Sequence, residues 1–163
     1  MSSTASARIL VVEDNSANRA LMVYLLKAFG YHTLEAVDGE QGLEIARHER
    51  PALIVCDVQL PKLDGYAVVD KLKTDHALRD IPIVAVTAFA MVGDRNKILS
   101  AGFDGYIGKP IEPETFVAQL AAFLPLKLRS GREYPAIGNS TEPTVRSQRA
   151  RKKSAALHEA RKT

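Results

Sequence analysis

Five apolar runs, near residues 8–13, 31–35, 52–57, 82–87 and 104–108, alternate along the chain with stretches suited to helices. Short continuous apolar runs suit strands covered on both faces, and apolar positions recurring every three or four residues suit amphipathic helices. Their alternation predicts an α/β fold of parallel strands with helices on both sides of the sheet. Ile9-Leu10-Val11-Val12, Leu53-Ile54-Val55-Cys56 and Ile83-Val84-Ala85-Val86 are nearly continuous and belong inside the sheet. The second and fifth runs are more polar and belong at or near its edges.

The stretches between the runs carry their own start and stop signals. Leu21, Met22, Leu25, Leu26 and Phe29 recur at helical spacing, and Gly30 supplies the left-handed stop just after them. Asp38 followed by Gln41 resembles a capping box for the second helix, and Asp64 can cap the third. The fourth helix, roughly 91–101, is the least apolar of the five and ends at Gly102; so little apolar surface suits a mobile element. In the fifth, Pro113 fits the first turn, and Phe116, Val117, Leu120, Phe123 and Leu124 form the apolar stripe. After Leu124 the period stops. Residues 1–7 and 126–163 are therefore expected to be disordered, leaving one domain at 8–125.

Charge sharpens this division. Residues 1–125 hold twelve Lys and Arg against sixteen Asp and Glu, whereas residues 126–163 hold ten against three. The body is mildly acidic and the tail strongly basic, so any polyanion contact is expected of the tail. No apolar run approaches the roughly 20 residues of a membrane helix. The first six residues contain no apolar signal core, and the one cysteine, Cys56, cannot pair within the chain. A cytoplasmic protein is expected, with no membrane partner.

Four polar clusters stand where apolar runs end: Glu13-Asp14, Asp57, Thr87 and Lys109-Pro110. In an open parallel sheet the carboxyl ends of the strands form the ligand crevice, so these residues can converge. Three carboxylates close together need protons or a cation, and magnesium (Mg2+) accepts a few carboxylates plus water. Asp57, on the middle run, is the candidate nucleophile, since an aspartate can accept a phosphoryl group as an acyl phosphate. Lys109 can neutralise a phosphoryl oxygen, and the Thr87 hydroxyl can donate to another. Any one of these residues alone reads as a cap or turn; their order at successive strand ends carries the inference.

The stretches Ile9-Leu10-Val11-Val12-Glu13-Asp14-Asn15, Ile54 to Gly65, Val86-Thr87-Ala88 and Gly108-Lys109-Pro110 resemble the receiver domain of bacterial two-component response regulators. Val84 to Asp94 and Ala101 to Ile111 are most similar to stand-alone, DivK-like members. The resemblance implies a flavodoxin-like (βα)5 three-layer sandwich with strand order 2-1-3-4-5. It implies Asp57 as phosphoacceptor, with Glu13, Asp14, Asp57 and the Gln59 backbone carbonyl gathered around magnesium. Lys109 would contact the phosphoryl group, with a cis bond to Pro110, and Thr87 with Tyr106 would form the switch pair. Phe89 and Met91, beside the loop after strand four, are either partner contacts or buried.

The same resemblance implies a sensor histidine kinase or histidine phosphotransferase upstream and a protein target downstream, bound through helix 4, strand 5 and helix 5. A phosphorylation-dependent homodimer is also compatible with it. No enzyme is expected beyond assistance to its own phosphorylation and dephosphorylation. Phosphatases of the haloacid-dehalogenase type carry a second Asp two residues after the nucleophile, where this chain has Gln59. No Gly-x-Gly-x-x-Gly follows the first strand, which argues against a dinucleotide site. The alternative is a scaffold or nucleic-acid-binding protein acting through its basic tail. Arg149, Arg151, Lys152 and Lys153 have no aromatic residue among them to stack on bases, and no DNA-binding output domain is recognisable after residue 125, so that alternative is disfavoured.

Overall fold

The computed structural model describes residues 6–89 and 91–131. Five strands, β1 (Arg8–Val12), β2 (His32–Ala36), β3 (Leu53–Asp57), β4 (Ile83–Thr87) and β5 (Gly105–Gly108), alternate with five helices. These are α1 (Ser16–Ala28), α2 (Gly39–Glu49), α3 (Gly65–Thr74), α4 (Val92–Ala101) and α5 (Phe116–Ala121). All strand pairs are parallel, in the order β2-β1-β3-β4-β5. This is the expected doubly wound fold, with the two more polar strands at the edges.

The period-two alternation hidden inside each apolar run divides the core into two layers. Ile9, Val11, Leu53, Val55, Val84 and Val86 pack with Met22 and Leu26 of α1 and with Phe116 and Leu120 of α5. Leu10, Val12, Ile54, Cys56, Ile83 and Ala85 face Leu43, Val68, Val69, Leu72 and Ile98 of α2, α3 and α4. Both faces of β3 and β4 are therefore covered, and every residue of those strands is buried. Ile98 is the one fully buried side chain among the described residues of α4.

Caps fix where the helices point. Asn15, Asp38 and Asp64 accept hydrogen bonds from the backbone N–H of Asn18, Gln41 and Ala67 at 2.9, 2.8 and 2.9 Å. The Gln41 side chain returns a bond to the N–H of Val37 at 2.7 Å, one residue earlier than the capping box places it. Helix α4 has no side-chain cap at Met91 and ends at Gly102, whose φ of 117° is the left-handed conformation expected of that stop. Pro113 lies just before α5, in a turn where the Glu112 carbonyl accepts from Thr115 and Phe116. Gly39 approaches Leu63 so closely that a Cβ there would sit 2.0 Å from the Leu63 carbonyl oxygen, which holds α2 against the loop after β3.

The body extends past residues 8–125 at both ends. Ala7 is buried, and the Ser6 hydroxyl donates to the Gly30 carbonyl. Beyond Pro125, a 3-10 turn at Leu126–Leu128 lays Leu128 on the α1–α5 layer. Arg129 then donates to the Leu124 carbonyl at 3.0 Å and to that of Ala122 at 3.3 Å, and the Ser130 N–H donates to the Tyr31 hydroxyl at 2.9 Å. The disorder expected of residues 1–5 and 132–163, and the basic cluster at 149–153, lie outside the described residues. No described helix is long and apolar enough to cross a membrane.

Candidate functional site

Parallel pairing sets the strand ends level. Val12 lies opposite Cys56, Asp57 opposite Val86 and Thr87 opposite Gly108, so the residues that finish or follow these strands meet at one edge of the sheet. Glu13 and Asp14 follow β1, Asp57 closes β3, Thr87 closes β4 and Lys109 follows β5. Together they line an open cleft of about 810 Å³.

Because β1 stops at Val12, the neighbouring acids need not follow the strand's alternation. Glu13 is fully buried, Asp14 is exposed, and each contributes a carboxylate oxygen that lies within 4.8 Å of the others and of Asp57. The Glu13 backbone is fixed on both sides: its N–H donates to the Ala36 carbonyl at 3.0 Å, and its carbonyl accepts from Arg19 at 2.9 Å. Lys109 Nζ donates to Asp57 Oδ2 at 2.8 Å and reaches both Glu13 oxygens at 3.3 and 3.4 Å. Asp57 Oδ1 accepts from the Gln59 N–H at 3.0 Å, so both carboxylate oxygens of Asp57 are held. The Lys109-Pro110 peptide is cis, and the Lys109 N–H donates to the Thr87 carbonyl at 2.8 Å.

One ammonium against three carboxylates leaves the site short of positive charge. Burial, a hydrogen bond with Asp57 and the Asp57 charge push the Glu13 carboxyl from 4.5 up to about 7, against the opposing pull of Lys109. Burial alone would lower Lys109, but its bond to Asp57 and the two carboxylate charges outweigh that and raise it. Burial and the neighbouring carboxylates push the Cys56 thiol up as well, so it stays a protonated core residue. Hard oxygen donors with an unmet demand for positive charge fit a divalent cation such as magnesium.

The switch candidates are arranged differently. Thr87 is buried at the cleft, where its Oγ1 accepts from the Phe89 N–H at 2.9 Å. Tyr106 is half-buried on β5, packs against the α2–α4 layer and does not line the cleft. The Arg95 guanidinium stands 5.4 Å from the centre of its ring. Phe89 and Met91 are exposed.

The response regulator receiver domain model matches residues 9–121. This chain belongs to that family. It is 43% identical over 116 residues to the polar-differentiation response regulator DivK of Brucella anthropi, covering 71% of this chain and 94% of the relative, and 42% identical to that of Brucella ovis over the same shares. Among solved structures, the receiver superposes on the chemotaxis response regulator CheY4 of Vibrio cholerae with a TM-score of 0.71 at 27% identity, covering 74% of this chain and all of the other. It superposes on the receiver domain of a sensor histidine kinase from Pseudomonas aeruginosa PAO1, with magnesium coordinated in the active-site cleft, at a TM-score of 0.68. That pair is 34% identical and covers 73% and 98% of the two chains. The present chain is a DivK-like receiver.

Sequence reasoning did not foresee the outer wall of the cleft. Tyr66 from the first turn of α3 and Asp94 and Lys97 from α4 line it, together with Asn15 and Asn18. Lys97 and Asp94 lie three apart on a helix with few apolar positions, which by itself reads as a solvated face. Only the packing of α4 beside α3 turns that pair towards the site.

Proposed function

We propose that this receiver takes a phosphoryl group from a phosphohistidine donor onto Asp57, with magnesium, and passes the signal on by binding other proteins. An Asp57 oxygen forms the new P–O bond as the P–N bond of the donor breaks, and the imidazole keeps the bonding pair and takes a proton from solvent. Magnesium, held by Glu13, Asp14, Asp57 and the Gln59 backbone carbonyl, would neutralise phosphoryl oxygens. Lys109 moves its charge from the Asp57 carboxylate to the phosphoryl group, and Thr87 turns its hydroxyl towards it. Tyr106 follows, and the altered surface of α4, β5 and α5 selects the partner.

The observation that carries the reading is Lys109 Nζ at 2.8 Å from Asp57 Oδ2, inside a cluster whose other members are two further carboxylates. On this reading the upstream partner is a sensor histidine kinase or histidine phosphotransferase in the cytoplasm, the downstream partner is a protein, and a phosphorylation-dependent dimer is one way to relay the state. The chain is not an enzyme towards other molecules. Incubation of the full chain with magnesium and acetyl phosphate should add one phosphoryl group, seen by intact mass, and Asp57→Asn should add none. Lys109→Ala should weaken the response while the circular dichroism spectrum stays that of the folded domain. An undiminished gain in Asp57→Asn would overturn the assignment.

A further inference from the structure

The carboxylates of the cleft oppose the approach of a doubly negative phosphoryl donor. Besides Glu13, Asp14 and Asp57, the lining includes the carboxylates of Asp64 and Asp94, and a small acyl phosphate arrives as a dianion. Lys109 is already engaged by Asp57 and Glu13. The second ammonium in the lining is Lys97, exposed on α4. Among the described residues it forms no ion pair within 4.0 Å; its Nζ rests 4.9 Å from the centre of the Tyr66 ring.

That perch is built from the core outward. Tyr66 meets Phe103 edge-on, with ring centres 6.2 Å apart at 76°, and Phe103 is buried in the α2–α4 layer. Burial, then the charges of Asp94 and Asp64, raise the Tyr66 hydroxyl, which stays neutral and leaves the ring face as the attraction for Lys97. The ring of Tyr66 is half-buried but the Lys97 ammonium over it is exposed, and its flexible stem lets it leave the ring for a stronger anion.

We propose that Lys97 is a donor-binding residue: its ammonium leaves Tyr66 to meet the phosphoryl group of the incoming donor at the cleft mouth. This deepens the proposed function and rests on Asp57 being the acceptor. With acetyl phosphate, an Asp57 oxygen forms a bond to phosphorus, the bond from phosphorus to the bridging oxygen breaks, and acetate leaves with the electron pair. Lys97 makes no bond in this step. It raises the local concentration of a doubly negative donor against the rim carboxylates.

The test measures the rate of phosphorylation of the full chain by acetyl phosphate, with magnesium, across ionic strength. Lys97→Ala should lower the apparent second-order rate constant roughly threefold to tenfold at low salt, with the difference closing near 1 M salt, where the screening length is about 3 Å. Lys97→Arg should retain the rate, and Asp94→Asn should raise it. The loss should be smaller with phosphoramidate, a less charged donor. A Lys97→Ala protein phosphorylated at the wild-type rate, or slowed equally at all salt concentrations, overturns this inference alone. A wild-type chain that is never phosphorylated overturns the proposed function and this inference with it.

Discussion

At their amino ends, β3 and β4 begin beside a mainly apolar hollow lined by Pro51, Ala52, Ile81, Pro82, Phe123 and Leu128; at their carboxyl ends the same strands finish in Asp57 and Thr87, beside the buried Glu13. At the amino end Asp104 and Lys73 satisfy one another and the backbone around them. Asp104 accepts from the Ile83 N–H at 2.9 Å and from Lys73 Nζ at 3.0 Å, and Lys73 also donates to the carbonyls of Arg79 and Ile81. At the carboxyl end one ammonium serves several carboxylates, and a glutamate is pushed up to about 7. One end of the sheet is built for stability, and the other carries charge that a folded chain would shed if stability were all it served.

Substitutions at the two ends should therefore separate stability from chemistry. Leu53→Ala, at the fully buried start of β3, should cost about 2–5 kcal/mol in urea denaturation, while the folded fraction still takes a phosphoryl group from acetyl phosphate. Asp104→Ala should cost less, about 1–3 kcal/mol, because it strands the Ile83 N–H and the Lys73 ammonium without opening a large cavity. Were either to abolish phosphorylation at temperatures where circular dichroism shows a folded domain, the two ends would not be separable.

The effect expected at Glu13 carries a definite sign. Its folded value, about 7, lies above the ordinary 4.5, so between those values the folded state holds a proton that the unfolded chain has released. The metal-free protein should then be most stable below about pH 4.5 on this group's account, lose stability as pH rises towards 7, and change little beyond. Glu13→Gln should flatten that slope in thermal melts recorded across the window. A slope unaltered in Glu13→Gln would assign it to another group.

Most of the fold is legible in the chain because local and global signals agree. β1, β3 and β4 read as nearly continuous apolar runs, and each is ended or followed at once by the polar residue that the crevice needs. Asn15 caps α1, a role that its type favours but that Asp14 and Ser16 beside it could equally fill, and the loss of period at Leu124 places the C-terminal boundary too early. The structure carries the body on through Leu128, Arg129 and Ser130, held by a hydrophobic contact and by bonds to Leu124, Ala122 and Tyr31. Those contacts span up to 99 positions and leave no periodic trace in sequence. The outer wall of the cleft was hidden for the same reason: Lys97 and Tyr66 meet only because α3 and α4 lie side by side.

On the proposed function, the charge gathered at the carboxyl end of the sheet is a magnesium-dependent phosphoacceptor site. Its most direct test is the thermal midpoint of the full chain at pH 8 as magnesium is added. The midpoint should rise and saturate in the wild-type protein, and the rise should be lost in Asp57→Ala, which removes a central carboxylate. A midpoint indifferent to magnesium, or an equal rise in both proteins, would contradict the account.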